Sequence, residues 1–358
     1  MSDDVAYLTA TDRVYAIDIQ PDTNNQQREL WTYPPATEGS AVTFHGQPYL
    51  SEDGILYAGT DSATSKGNYV VALNTRQVVE VGEPPNTVPT ASVKWLAPNP
   101  PSLSSIFGGL TGDGRALYFG TDGHQVVSLD VSRESPTVGW VYTTTERIWS
   151  MPVVTGSVAY ATSQDASLYA LDAETGRPLW DEPFTASATL AGNPAYHDGV
   201  VYVGSFDQRL SAVDAATGEQ RWEFATQGWL WDGPAVFDDT LYFGDLSGYL
   251  YALDLNGQPV WPQPVQLTGM IRAAPLVTAD RLYVATGARK VYALDRESGR
   301  VQWEFTGDHD GEQFLTTPVL AGDQLLAAPL PAGASPVRLY AINAASGNAL
   351  WQFPAPSN

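Results

Sequence analysis

The sequence predicts an all-β protein: an eight-bladed β-propeller of four-stranded antiparallel blades. Two observations predict it. The chain repeats itself with a period of about 40 residues, and every copy holds several short apolar strands, as propeller blades do. Each copy has a strand closing on Asp or Asn, then a turn, then a tryptophan. These tryptophans are Trp31, Trp95, Trp140, Trp180, Trp222, Trp261, Trp303 and Trp351. Because blades depend on their neighbours for a core, we expect residues 1–358 to form a single domain.

The copy at residues 192–224 shows the unit most clearly. Strand A is predicted to follow Pro194, strand B to cover 200–204, strand C 209–214 and strand D 220–224, because alternating and β-branched residues are separated there by turn residues. The first copy begins at strand B, with residues 5–9. Its blade therefore lacks the inner strand, either because it has three strands or because upstream residues were removed. We expect removal, together with loss of the native targeting segment.

The turn between strands C and D has a physical reason. An Asp at the end of strand C accepts hydrogen bonds from the following backbone N–H groups, and a Gly four residues later tolerates positive φ. The tryptophan that follows is large enough to bridge neighbouring blades. In the second copy, an insertion at 75–92 predicts a protruding hairpin or loop. The most regular turns, each with its tryptophan, are Asp172, Gly176 and Trp180; Asp214, Gly218 and Trp222; and Asp295, Gly299 and Trp303.

Composition excludes several functions. With 18 Lys and Arg against 40 Asp and Glu, the formal net charge is −22, so we expect no nucleic-acid partner. Cysteine is absent, which excludes disulfides, thiolate catalysis and Cys-ligated zinc. No apolar run reaches the length of about 18 residues that a membrane span needs.

Motifs of catalysis and metal binding are also missing. There is no P-loop, G-x-S-x-G or G-x-G-x-x-G, and the four histidines lack HxH or HExxH spacing. Residues 308–312, DHDGE, faintly resemble a calcium loop but lack its continuation, so a solvated turn is predicted. We therefore predict no catalytic residue, no metal ligand and no cofactor.

A family resemblance rests on the strand C–turn–D segment. The pattern LYALD-x-x-TG-x-x-LW stands at 168–180 and recurs at 210–222, 291–303 and 339–351. It resembles the tryptophan-docking repeat of pyrroloquinoline-quinone (PQQ)-type propellers. One group in this family is the quinoprotein dehydrogenases, which hold PQQ and calcium on the propeller axis. The other is non-enzymatic and includes the propeller lipoprotein of the outer-membrane β-barrel assembly machinery, which docks a partner protein.

The chain is more similar to the non-enzymatic group. It lacks the long insertions that build the enzymes' pocket, it has no cysteines for the disulfide against which they often stack PQQ, and their calcium ligands match no segment here. The anchoring cysteine of the assembly lipoprotein is also missing. The resemblance therefore implies an extracytoplasmic, periplasmic or cell-surface protein that binds a protein partner.

The linkers from strand D to the next strand A are the predicted binding site, because they open on one face of a propeller. Six of these linkers lead into strand A through a proline, with an apolar residue four positions before it, and the residue three positions before the proline varies. From these linkers we select His45, Trp149, Trp229, Trp231, Arg272 and Phe314 as partner or ligand contacts. Two alternatives stay open: the tryptophans plug the central channel or pack between blades, and Arg272 pairs with Asp232.

The sequence thus predicts a non-catalytic, monomeric, extracytoplasmic propeller that acts as a protein-binding scaffold. A minimal PQQ-dependent dehydrogenase and a small-ligand or cell-wall sensor module are the alternatives.

Overall fold

The computed structural model describes residues 4–10, 12–20, 28–35, 43–61, 68–82, 87–97, 104–330 and 337–354. In these ranges 31 strands form eight antiparallel sheets, the blades of an eight-bladed β-propeller, so the predicted fold class is confirmed. None of the described segments is a helix of the length and apolarity needed to cross a bilayer.

By internal contacts the chain divides into two compact units, Met1–Pro183 and Phe184–Asn358. The strands of the first unit are β1 (Val5–Ala10), β2 (Arg13–Asp18), β3 (Glu29–Tyr33), β4 (Tyr49–Leu50), β5 (Ile55–Gly59), β6 (Val70–Val81), β7 (Val88–Ala97), β8 (Thr111–Gly112), β9 (Ala116–Thr121), β10 (Gln125–Asp130), β11 (Thr137–Thr143), β12 (Val153–Thr155), β13 (Val158–Thr162) and β14 (Ser167–Asp172).

The second unit contains strands from β15 onward. They are β15 (Phe184–Thr185), β16 (Ala195–His197), β17 (Val200–Ser205), β18 (Arg209–Asp214), β19 (Gln220–Ala225), β20 (Ala235–Phe237), β21 (Thr240–Gly244), β22 (Tyr249–Asp254), β23 (Val265–Gln266), β24 (Leu276–Val277), β25 (Arg281–Thr286), β26 (Lys290–Asp295), β27 (Val301–Thr306), β28 (Val319–Ala321), β29 (Gln324–Ala327), β30 (Leu339–Asn343) and β31 (Ala349–Phe353).

Every sheet is a simple meander in which strands consecutive in sequence pair. The sheets are β1–β3, β4–β7, β8–β11, β12–β15, β16–β19, β20–β23, β24–β27 and β28–β31. Among the described residues the first sheet has three strands and the other seven have four, so the prediction of a first blade without strand A is confirmed. The four strands predicted in 192–224 are also confirmed, as β16 to β19.

The tryptophan of each of the following copies stands next to a local irregularity in the pairing of strands C and D. Ala212 on β18 lies opposite Trp222 on β19, and the register shifts directly after this pair. The same small residue and shift precede Trp303 and Trp351. The alanine lies opposite the tryptophan across one strand pair, where a larger side chain would displace the indole ring.

Prolines shorten strand D in two copies, which the repeat pattern did not predict. Near Trp180 and Trp261, strand pairing is reduced to single bridges at Pro178 and Pro259, and the short strands β15 and β23 begin only after the tryptophan. Proline cannot donate a backbone hydrogen bond to the ladder, which explains the interruption. The expectation that these two tryptophans lie within strand D was therefore wrong.

The insertion of the second copy forms a hairpin, which is one of the two forms predicted for it, a hairpin or a loop. Strands β6 and β7 continue past the body of the sheet and stay paired as far as Val81 and Val88. Residues 83–86, at its predicted tip, lie outside the described residues.

Among the described residues, four of the repeat tryptophans pack on the glycine turn of the next sheet, as the bridging role predicts for them: Trp140, Trp222, Trp261 and Trp303. The Trp140 indole N–H donates to the Ala173 carbonyl at 2.9 Å, and its ring covers Gly176. Trp222 reaches Leu255 and covers Gly257 in the same way. Gly176 has φ of 72°, and a Cβ there would lie 2.6 Å from the Trp140 ring, so glycine is required both for conformation and for space.

Gly218, the glycine of the turn after β18, has a second role that the sequence did not predict. It was selected only because the turn needs a positive φ, and its φ is 77°. Its backbone N–H also donates to the Asp214 carbonyl at 2.9 Å, and the N–H of Gly299 donates to Asp295 at the same distance. The prediction for Gly218 was therefore incomplete, because the glycine closes the turn with a backbone hydrogen bond of its own.

The carboxylate of the turn behaves as predicted. Asp172 accepts from the backbone N–H of Thr175 at 2.8 Å and from its hydroxyl at 2.7 Å, and these bonds lower the pKa of Asp172. At Asp214, the Arg221 guanidinium, together with the N–H groups of residues 217 and 216, lowers the pKa to about 2.

Candidate functional site

The linkers before strand A are held rigidly by backbone hydrogen bonds. In the first unit, the Ile148 N–H donates to the Thr121 carbonyl of the preceding sheet, while the Gln164 N–H of its own sheet donates to Arg147. Leu230 and Trp229 are held by equivalent bonds in the second unit. Each linker is thus fixed on two sheets, and side chains that it exposes have a defined position.

The apolar residue four before the proline is core in every copy where it was predicted. The residues are Phe44, Ile148, Leu190, Leu230, Ile271 and Phe314, none more than 1% exposed. Phe314 packs edge-on against Tyr340 and near Phe305. We had selected Phe314 as a contact residue; its burial in the core shows that this was wrong.

The first aromatic patch, which we define as His45, Phe107 and Trp149, lies in the first unit. The rings of His45 and Phe107 are stacked with centroids 5.1 Å apart, and Phe107 lies 6.1 Å from Trp149. Two carboxylates lie beside the rings of this patch: His45 Nε2 is 3.4 Å from the Asp61 carboxylate, and Asp122 accepts from the Trp149 indole N–H at 3.2 Å. His45 is exposed and Trp149 is partly buried.

The second aromatic patch, Phe206, Trp229, Trp231 and Arg272, lies in the second unit. Phe206 stacks on Trp229 at 5.3 Å with an interplanar angle of 14°, and its centroid is 5.5 Å from that of Trp231. The Arg272 guanidinium lies 3.9 Å from the Trp231 ring centroid. Trp229 is 51% exposed although the Phe206 ring stacks on it.

The phenylalanines of both patches were missed from the sequence. Phe107 follows the buried Ile106 just as His45 follows Phe44, but Leu110 stands where other linkers have proline, so an alignment on proline skips it. The phenylalanine at 206 comes from the turn between β17 and β18. The repeat could have identified Phe107, because a buried apolar residue precedes it as in the other linkers. Phe206 carries no such signal in the sequence. Only the folded chain brings its turn beside the exposed Trp229.

Asp232 joins three linkers of the second unit. One of its oxygens accepts from the N–H groups of Asn193 at 2.8 Å and Gly233 at 3.0 Å, and the other accepts from Ala274 at 3.3 Å. Burial raises the pKa of Asp232 from 3.8 to about 6, although the three N–H groups and nearby Arg272 favour the charged form. The predicted alternative of an Asp232–Arg272 ion pair is not among the ion pairs of the described chain.

The raised pKa of Asp232 predicts a pH-dependent contribution to stability. Its folded pKa lies above the unfolded value, so the folded state binds the proton more tightly, and the free energy of unfolding falls as pH rises from about 4 to about 6. In Asp232→Asn this dependence is removed. As pH rises from about 4 to about 6, wild type should lose about 3 kcal/mol of unfolding free energy relative to Asp232→Asn. Urea denaturation of both proteins at each pH measures this difference.

Asp214→Asn is the matched control for this experiment. The pKa of Asp214 is lowered to about 2, so its contribution is lost only as pH falls from about 4 towards about 2. Between about pH 4 and about pH 6, the difference in unfolding free energy between Asp214→Asn and wild type should therefore stay constant. A constant difference for Asp232→Asn as well would contradict the raised pKa.

The acidic segment 308–312 is only partly the solvated turn that we predicted. Glu312 is 1% exposed, accepts from the Tyr340 hydroxyl at 3.0 Å and pairs with Arg338 at 3.2 Å. Asp310 at the surface pairs with Arg289. For Glu312 the prediction was wrong, because its carboxylate is held by partners inside the protein.

The resemblance to quinoprotein dehydrogenases would require a calcium and quinone site. In the part of the chain that the structure describes, no group of three or more His, Asp or Glu side chains could hold a metal ion. The chain also has no cysteine for a disulfide against a quinone. The residues that the structure describes therefore do not match the calcium and quinone site that the resemblance to these enzymes would require.

A model of a known protein family matches almost the entire chain. The model of the PQQ-repeat family described as "Outer membrane protein assembly factor BamB" matches residues 10–228 and 206–358. The chain belongs to this BamB family. Among curated proteins, none matches it in sequence.

Solved structures agree with the BamB-family fold. The crystal structure of BamB from Moraxella catarrhalis superposes with a TM-score of 0.67 at 17% identity, covering 97% of this chain and 90% of that one. The computationally designed Ika8 protein gives a TM-score of 0.73 at 13% identity, covering 96% and 94% of the two chains. At these identities the likeness concerns the fold alone, so the binding site of this BamB-family member has to be argued from its own residues.

Proposed function

We propose that this protein is a non-catalytic, extracytoplasmic scaffold whose linker patches bind a protein partner. One observation carries the proposal: Trp229 is half exposed, stacked on Phe206, and fixed on a linker with defined backbone hydrogen bonds. Large aromatic side chains that are already ordered contribute contact area at a low entropic cost, and Trp, Tyr and Arg dominate binding energies at interfaces.

Membership in the BamB family supports the same proposal. The family is named for an assembly factor of outer membrane proteins, which is a function of contact with other proteins outside the cytoplasm. The two aromatic patches of this chain occupy the linkers and adjoining turns, where the repeat leaves residues free to vary. We propose each patch separately as a contact surface.

The test is capture of partners by the full chain from envelope extracts of its source cell, with quantitative mass spectrometry. Trp149→Ala tests the first patch, and a Trp229→Ala/Trp231→Ala variant tests the second. We expect the main captured partner to fall roughly thirtyfold with at least one of them, the effect of losing about 2 kcal/mol of binding energy.

Leu179→Ala is the control, because Leu179 is a large apolar residue that is 48% exposed, nearly the exposed fraction of Trp229, and lies outside both patches. The control should capture as much partner as wild type. If both patch variants captured the same partners in the same amounts as wild type, the proposal that these patches are contact surfaces would be wrong.

A further inference from the structure

Arg272 differs from the other partly buried arginines of the second unit. Arg281 donates to the Ala344 carbonyl at 2.7 Å, Arg296 pairs with Asp238 at 3.0 Å, and Arg338 pairs with Glu312. Among the described residues, the Arg272 side chain has neither a hydrogen bond nor an ion pair. Its guanidinium packs on the Trp231 ring.

Asp232, the carboxylate whose charge acts on Arg272, makes its hydrogen bonds to other groups. Asp232 directs both oxygens to backbone N–H groups, those of Asn193, Gly233 and Ala274. Its charge still acts on Arg272 through space, but burial acts more strongly on the guanidinium and lowers the pKa of Arg272. The cation is therefore partly desolvated without receiving the hydrogen bonds that usually compensate for desolvation.

Stacking leaves the hydrogen-bonding groups of Arg272 available. A guanidinium packs on an indole through its planar face, whereas its five N–H groups point outward in the plane. A carboxylate matches two of those N–H groups in a bidentate pair, which is among the strongest and most directional contacts that arginine makes. The stacked position on Trp231 orders the side chain before binding, so little entropy is lost when the pair forms.

Apolar surface lies directly beside this cation. Trp231, Phe206 and Trp229 follow one another with ring centroids 5.5 and 5.3 Å apart, and the row ends in the exposed face of Trp229. A ligand that satisfied Arg272 would therefore place its neighbouring groups on aromatic rings.

We propose that the second aromatic patch anchors an acidic-aromatic segment of a protein partner: an Asp or Glu carboxylate binds the Arg272 guanidinium, and an adjacent aromatic or large apolar side chain packs on the Phe206–Trp229 rings. This inference rests on the proposed function and specifies the chemistry of the partner. It also has a consequence for salt dependence. The chain carries a net charge of −22, so an anionic segment is repelled at long range, and its affinity should rise when salt screens that repulsion.

The experiment uses two synthetic peptides with blocked ends, acetyl-Gly-Phe-Glu-Phe-Gly-amide and its glutamine counterpart, titrated into the full chain by calorimetry. The peptides differ only in one carboxylate. We expect the glutamate peptide to bind wild type at least about tenfold more tightly, and its affinity to increase between about 0.02 M and about 0.2 M salt.

Substitutions assign the effect to Arg272. Arg272→Gln should bring the two peptides to equal affinity, and Arg272→Lys, which keeps the charge but loses the planar fork, should retain only part of the difference. Arg300→Gln removes a charge from an exposed arginine of the same unit and should change nothing. Continued binding of the glutamine peptide by Arg272→Gln shows that the aromatic row is intact in that variant.

Equal binding of the two peptides by wild type, no binding of either, or a preference that survives Arg272→Gln would each overturn the proposal. The envelope capture separates this failure from that of the proposed function. If Trp229→Ala/Trp231→Ala loses the partner while Arg272→Gln captures it fully, the scaffold function stands and the carboxylate anchor is wrong.

Discussion

Trp140→Ala is expected to lower the free energy of unfolding by about 3–5 kcal/mol, the usual cost of removing a large buried aromatic side chain. Trp140 is 8% exposed, lies beside Tyr118 at 6.0 Å, and covers the turn at Gly176. Its removal leaves a cavity between two sheets and leaves the buried Ala173 carbonyl without the indole donor. Urea denaturation followed by circular dichroism measures the loss.

Trp229→Ala is the matched control, because the same atoms are removed from a site that is 51% exposed. We expect it to cost less than about 1 kcal/mol, as substitutions at exposed positions generally do. Equal losses for the two variants would show that the repeat tryptophans do not hold neighbouring sheets together.

Glu312→Ala is expected to produce a loss of similar size, about 3–5 kcal/mol, because it leaves Arg338 charged and unpaired in the interior. The carboxylate is 1% exposed and accepts from both Arg338 and the Tyr340 hydroxyl. The Glu312→Ala/Arg338→Met variant removes both charges and should regain part of the loss, since an uncompensated charge costs more than an absent pair.

Glu304→Ala is the control for this measurement. Glu304 pairs with Lys290 at 2.7 Å, but its side chain is 50% exposed, and a pair in water contributes less than about 1 kcal/mol. If Glu312→Ala were as mild as Glu304→Ala, the interior pair would not contribute to stability.

The repeat could be predicted from the sequence because its determinants are local. Asp214, Gly218 and Trp222 stand at fixed separations, and each has a role that short-range physics assigns: an acceptor for turn N–H groups, a residue with positive φ, and a large ring on strand D. Pairing of the strands then follows from the meander.

Other features depend on contacts that spacing does not encode. The prolines at 178 and 259 were visible, but the repeat pattern carried more weight in the prediction than their effect on strand D. Phe206 joins the second aromatic patch from a turn, and Asp232 is committed to three backbone N–H groups of separate linkers. The repeat places Asp232 and Arg272 in successive linkers and suggested an ion pair between them, whereas in the fold the Asp232 carboxylate accepts from backbone N–H groups instead.

The contact of a tryptophan with the following glycine turn has a consequence for how such a protein can change in evolution. In the second unit, the copies that contain Trp261 and Trp303 each supply the tryptophan of one such contact and the glycine turn of the contact before it. A gene segment encoding one of these copies therefore brings both halves of such a joint, the tryptophan and the glycine turn, with it. Duplication or exchange of such segments within the second unit would preserve every joint, while the linker residues beside the joints remain free to acquire new specificity. In that unit the joints are formed by Trp222, Trp261 and Trp303, which pack on Gly257, Gly299 and Gly347.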